Sequence, residues 1–134
     1  MELLVVIAII TILTTIVGIN VLHKPAEAKV TAAKANLKSL QSAVQMYKTE
    51  NGFYPAQAQG LQALVTKAVT EPVPASFPPD GYLTSRNVPK DEWNHDFIYL
   101  CPGRKGESFE IISYGSDGEP GGDGDAADLS TSNL

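Results

Sequence analysis

The chain has 134 residues and a net charge of −5, which suits one modest domain and leaves no room for two cores. The charge is unevenly spread. Between Lys24 and Glu50, five lysines outweigh two acids, whereas from Asn51 onward twelve acids face five bases, so a basic stem carries an acidic head. The basic stretch has no interleaved aromatics before Tyr47, which argues against nucleic-acid binding, and the single cysteine, Cys101, excludes an internal disulfide and reads as a small buried hydrophobe.

The first predicted element begins with a puzzle. Glu2 leads directly into LLVVIAIITILTTIVGINVL, residues 3–22, a run without formal charge. About 20 residues at a rise of 1.5 Å span the roughly 30 Å hydrocarbon core, so the run predicts one membrane crossing, held as a helix because lipid offers the backbone no other partner. A carboxylate at the edge of hydrocarbon is expensive unless a cation meets it, and Glu2 therefore needs a partner. A signal peptide competes poorly: no basic residues precede the run, which is longer than a usual apolar signal core.

Beyond Leu22, Val30, Ala33, Leu37, Leu40, Val44 and Tyr47 recur at spacings of three and four, the stripe of an amphipathic helix. Gly52, in Glu50-Asn51-Gly52, predicts its stop, since glycine suits the left-handed position past a last turn. Gly18 and Pro25 mark the predicted helix bend, and two geometries satisfy Pro25: a kink between 18 and 25, or the first turn of a second helix. The organisation read from this is a transmembrane or filament-core segment at 1–23, an amphipathic stem at 24–52 and a head at 53–134 that packs on the stem.

In the head, AQGLQALVTKA at 58–68 predicts a short helix with Leu61, Leu64 and Val65 on one face. The prolines of EPVPASFPPDGY, 71–82, forbid a regular ladder and predict a loop. FIYL at 97–100 and FEIISY at 109–114 predict a hairpin across the turn-forming PGRKG. With Trp93, Phe97, Tyr99, Phe109 and Ile111 as the expected core, the fold class is α+β: a long N-terminal helix and a small antiparallel β-sheet head.

The last predicted element, SDGEPGGDGDAAD, sets five acids among glycines. Hard oxygen ligands in a flexible loop suit calcium, although the spacing is not that of an EF-hand, and composition alone weighs a solvated acidic turn level with a metal site. Catalysis finds little support. His23 and His95 have no nucleophile at a pairing distance in sequence, and the adjacent Asp91 and Glu92 point in different directions, so an enzyme is not expected.

The N-terminal Glu, the continuous stem, MYKTENGFYPAQAQGLQALV, GYL, VPKDEWNHDFIY, PG and the terminal SYGSDGEPGGDGDAADL follow one another in an order that resembles type IV pilins and pseudopilins, most closely the major pseudopilins of type II secretion systems. The resemblance implies a structural subunit that polymerises into a periplasmic pseudopilus and drives export of folded proteins across the outer membrane. Partners would be further copies of itself, minor pseudopilins, the inner-membrane secretion platform, a prepilin peptidase and the bilayer. A type IV pilin or competence pseudopilin is the alternative within the superfamily, and a monomeric membrane-anchored calcium-binding domain or hydrolase is the alternative outside it.

Glu2 matches the family's fifth mature position, so a basic leader and three mature residues are expected upstream. On that expectation the N-terminus lies in the cytoplasm and the head in the periplasm, although the lysines after the apolar run point the other way by the positive-inside tendency. The resemblance also gives Glu2 its partner, the terminal amine of a neighbouring subunit, and makes Ca2+ the expected cofactor. Asp117 matches the family's calcium-loop aspartate, Asp125 and Asp128 match the acids near the loop's end, and Asp123 is a substitute for either.

Overall fold

A computed structural model describes residues 2–134, apart from the side chains of residues 14–25 and of Asp125. One helix, α1, runs from Glu2 to Asn51. Its apolar stripe does what the spacing predicts: Ala33, Leu37, Leu40, Val44 and Tyr47 are buried, joined by Ala43, while Val30 at the margin is half-buried. The stop also falls where expected. Gly52 has φ +83°, and its N–H reaches back to the Lys48 carbonyl at 2.6 Å.

The head lays three short strands across the buried face of α1: β1 (Ile98–Leu100), β2 (Glu110–Ser113) and β3 (Leu129–Ser130). They form an antiparallel sheet in the order β1–β2–β3, with Tyr99 opposite Ile111 and Ile112 opposite Ser130. All of β2 is buried, because it is the central strand and lies against α1. The core joins Leu37, Leu40, Val44 and Tyr47 of α1 to Leu61, Leu64, Phe97, Tyr99, Phe109 and Ile111.

Several local expectations need correction. The helix expected at 58–68 is a 3-10 turn, Leu61–Leu64, that buries Leu61, Ala63 and Leu64 and leaves Val65 half-buried. At three residues per turn, positions 61 and 64 eclipse, so the face that a 3.6-residue period would extend to Val65 ends one residue early. Trp93 is half-buried and outside the core. Its N–H is held by Asp91 at 3.1 Å and the chain reverses at Asn94, φ +65°, which leaves Trp93 at the rim. Cys101 likewise sits half-buried at the edge, with its thiol 3.4 Å from the Ser108 carbonyl. The third strand, β3, is additional to the expected hairpin.

The proline-rich loop has no ladder, as expected, yet it is pinned to the end of α1. Asn51 accepts the Ser76 N–H at 2.8 Å and donates to the Tyr82 hydroxyl at 3.1 Å. That hydroxyl donates to Glu50 at 2.5 Å and lies 3.2 Å from the Ser76 carbonyl. Burial, reinforced by the hydrogen bond to Glu50, pushes the Tyr82 pKa up to about 12, so the phenol stays a donor throughout the physiological range.

The Tyr47 hydroxyl is different: it is buried and, among the described residues, has no hydrogen-bond partner. Burial raises its pKa. An unmet buried hydroxyl costs about 1–3 kcal/mol, whereas the ring keeps its edge contact with Phe53 at a centroid distance of 6.1 Å. Tyr47→Phe is therefore expected to raise the unfolding free energy by about 1 kcal/mol in urea titration. A lower value in the variant would mean that the hydroxyl has a partner.

Candidate functional site

The acidic loop leaves β2 through a 3-10 turn, Gly115–Asp117, and returns to β3 through a second, Gly124–Ala126; the two turns contact each other. Glycine is required at two points. A Cβ on Gly122, φ +101°, would meet the Ala126 carbonyl oxygen at 2.5 Å, and one on Gly118, φ +67°, would lie 3.0 Å from the His95 ring. The loop is thus curled so tightly that the Ala126 carbonyl lies directly against Gly122.

The carboxylates are disposed as follows. Asp117 accepts the Glu119 N–H at 3.2 Å, and Asp128 accepts the Gly121 N–H through both oxygens at 3.0 Å. Asp123 precedes the second turn in extended backbone and makes no side-chain cap. Asp125 lies within that turn, its side chain outside the described residues. Among the described residues, no three His, Cys, Asp or Glu side chains are grouped to hold a metal ion. The donor set is nonetheless of one kind, carboxylate and carbonyl oxygen on a glycine-curled backbone, which is the chemistry calcium accepts.

The root of this loop is built from Asp91, His95 and Ser113. Asp91 is only 5% exposed and accepts the His95 N–H at 2.8 Å, the Trp93 N–H and the Ser113 hydroxyl at 2.8 Å. Glu92 is exposed and bonded instead to Asn36 of α1, so the two acids do diverge. His95 Nδ1 lies 3.1 Å from the Gly115 carbonyl; a carbonyl can only accept, so Nδ1 carries the proton. Serine, histidine and aspartate are neighbours here, but the serine proton goes to the aspartate and the imidazole to a carbonyl. No nucleophile is activated by that wiring.

A second buried acid, Glu110, stands outside the residues expected at the site. It is fully buried and ion-paired with Arg104 at 2.8 Å. It further accepts the Arg104 backbone N–H at 3.1 Å, the Ser130 hydroxyl at 2.5 Å and the Ser132 hydroxyl at 3.1 Å. The Arg104 guanidinium holds its carboxyl down to about 2, against the opposing effect of burial. The available signal was an acid between Phe109 and Ile111 in an otherwise apolar strand, since such a residue must be paired.

At the other end of the molecule, Glu2 occupies the first turn of α1. Leu3, Leu4, Val5, Val6, Ile7, Ile9, Ile10, Ile12 and Leu13 are each more than half exposed. The expected bend at Gly18 and Pro25 falls on side chains outside the described residues. Among the described residues no helix is long and apolar enough to cross a membrane, and much of the predicted crossing at 3–22 belongs to that same undescribed stretch.

A helix that buries a stripe of its C-terminal part against a small α+β head, and whose residues 3–13 present uncovered apolar side chains, defines a pilin-like subunit. The sequence profile of Type II secretion system (T2SS), protein G, matches residues 20–132. The type II secretion system core protein G of Pseudomonas aeruginosa is 42% identical over 128 residues, covering 96% of this chain and 88% of that protein. Its counterpart in Vibrio cholerae is 39% identical over 134 residues, covering 100% and 89%. The crystal structure of the major pseudopilin from the type 2 secretion system of enterohaemorrhagic Escherichia coli matches with a TM-score of 0.71 at 33% identity, over 86% of this chain and 96% of that one. The chain belongs to the type II secretion system protein G family, the major pseudopilins, as its sequence motifs implied.

Proposed function

We propose that this major pseudopilin polymerises through residues 2–13 and the apolar stretch that follows, forming a periplasmic pseudopilus whose growth moves folded proteins across the outer membrane. The observation that carries this reading is the row of nine large apolar side chains on α1, each more than half exposed, on a helix whose buried stripe from Ala33 to Tyr47 is taken up by the head. Before assembly lipid covers that row, with the N-terminus cytoplasmic and the head periplasmic; afterwards neighbouring helices cover it. Minor pseudopilins, the inner-membrane platform and a prepilin peptidase are the proposed partners, and the role is structural rather than enzymatic.

Glu2 then sets register. Removing its charge eases the fit of a monomer to lipid but deprives the filament of a charge pair. Glu2→Ala and Glu2→Lys are expected to abolish polymer in crosslinking and filament imaging while leaving membrane insertion unchanged. Wild-type polymer yields from both substitutions would overturn the role.

Calcium is the proposed cofactor of the acidic loop, held by Asp117, Asp125 and Asp128 with Asp123 as a substitute. It would supply positive charge and oxygen coordination, joining the end of β2 to the start of β3. A cation bound only by the folded state stabilises it by about 2.7 kcal/mol when present at about 100-fold its Kd. Thermal unfolding of the full chain in detergent, with calcium and with chelator, tests this. A lower Tm under chelation, mimicked by Asp117→Ala more closely than by Glu119→Ala, is expected; superimposable curves would leave a solvated acidic turn.

A further inference from the structure

We propose that His95 is a positioning residue for the acidic loop: by donating from Nδ1 to the Gly115 carbonyl and packing its ring against Gly118, it presets the turn that carries Asp117. The proposal rests on the calcium reading of the loop and deepens it, because it assigns part of the affinity to a side chain that binds no metal.

Three observations converge on this ring. First, its backbone is fixed from below: the buried Asp91 carboxylate accepts the His95 N–H at 2.8 Å, and the Asp91 N–H donates to the His95 carbonyl at 2.9 Å. The turn between them needs Asn94 at φ +65°, a conformation asparagine adopts more readily than most residues. Second, the imidazole bridges to Gly115 at 3.1 Å, and Gly115 is buried, its own N–H facing the Ser113 hydroxyl at 3.3 Å. Ser113 in turn donates to Asp91, so the circuit Asp91–His95–Gly115–Ser113 closes on itself. Third, a Cβ added to Gly118 would meet Cε1, Nε2 and Nδ1 of the ring at 3.0, 3.1 and 3.3 Å, so the ring occupies the space beside the turn. Asp117 lies between the two glycines that His95 touches.

A loop of carboxylates and glycines loses backbone freedom when it closes on a cation, and whatever orders it beforehand reduces that loss. Asp117 is the first acid of the loop, and its main chain is held on both sides by one imidazole. Asp123, Asp125 and Asp128 lie on the far arm, beyond the Gly121–Gly122 pair, so ordering by His95 acts on the arm that carries Asp117.

Two substitutions separate the donor from the ring. His95→Phe keeps an aromatic ring but removes the Nδ1–H; His95→Asn places an amide donor at the Nδ1 position but removes the ring. Both are measured in the full chain in detergent, by calcium titration and by amide hydrogen exchange with and without calcium. His95→Phe is expected to raise the calcium Kd by about ten-fold and to speed exchange at 115–121 in the calcium-free protein, with exchange at 110–113 unchanged. His95→Asn is expected to restore most of both. Wild-type affinity and exchange in His95→Phe would overturn the proposal, as would loosening spread equally over 110–113, or an Asn variant as defective as Phe. If the unaltered chain binds no calcium, the cofactor reading fails separately, and exchange at 115–121 without calcium still decides whether His95 orders the turn.

Discussion

Glu110→Ala should lower the stability of the head by about 3 kcal/mol, near the lower end of the range for breaking a buried ion pair. The substitution removes the acceptor for the Arg104 guanidinium, the Arg104 N–H and the hydroxyls of Ser130 and Ser132. The lower end applies because Arg104 is half exposed and returns to water when its partner is lost, whereas Ser130 stays buried. A pH dependence follows. The folded-state pKa of Glu110, about 2, lies below the ordinary value of 4.5, so the unfolded chain takes up the proton first on acidification. The contribution is complete above about pH 4.5 and disappears as pH falls towards about 2, a change of roughly 3 kcal/mol for a shift of this size. Urea unfolding at pH 6, 4 and 3 should show wild type and variant converging as the solution becomes acidic. Parallel lines would mean that Glu110 is not the group responsible.

The two halves of α1 should respond oppositely to the same change. Leu37 is fully buried in the core, and Leu37→Ala is expected to cost about 3 kcal/mol of head stability by loss of transfer energy and creation of a cavity. Leu13, 56% exposed, has no such contacts to lose with the head, and Leu13→Ala should change the unfolding free energy by less than about 0.5 kcal/mol. On the proposed filament contact the order is expected to reverse: Leu13→Ala should remove contact surface between subunits, while Leu37→Ala should lower polymer only through the fraction of unfolded heads. Comparing polymer yield per folded subunit for the two variants tests this. Equal yields would show that residues near 13 do not form the filament contact.

The stem was legible because burial every three or four residues has one explanation, and Gly52 marks its end. β3 was not legible: Leu129 and Ser130 are too few to alternate, and they become a strand only because Ser113 and Ile112 offer a paired edge. The composition of the acidic loop was visible, but its wiring was not. Nothing in the spacing says that Asp128 turns back to Gly121, or which of the two divergent acids, Asp91 or Glu92, is the buried anchor of the loop's root. Trp93 was misplaced for the usual reason that a large aromatic suggests a core, whereas the hydrogen bonds of the Asp91 turn hold it at the rim. The major-pseudopilin resemblance survived these local errors because it rested on the order of many motifs.

The attachment of the proline-rich loop to the last turn of α1 has a mechanical meaning. If an axial push on α1 is to reach the head, it must pass from helix to globule without the helix end sliding. Glu50 and Asn51 grip Tyr82 and Ser76 through several hydrogen bonds gathered at one place. Bonds gathered at one place resist separation of the helix end from the loop jointly, whereas a ladder can be opened one rung at a time. Tyr82 is thus a rivet between the shaft and the body it carries.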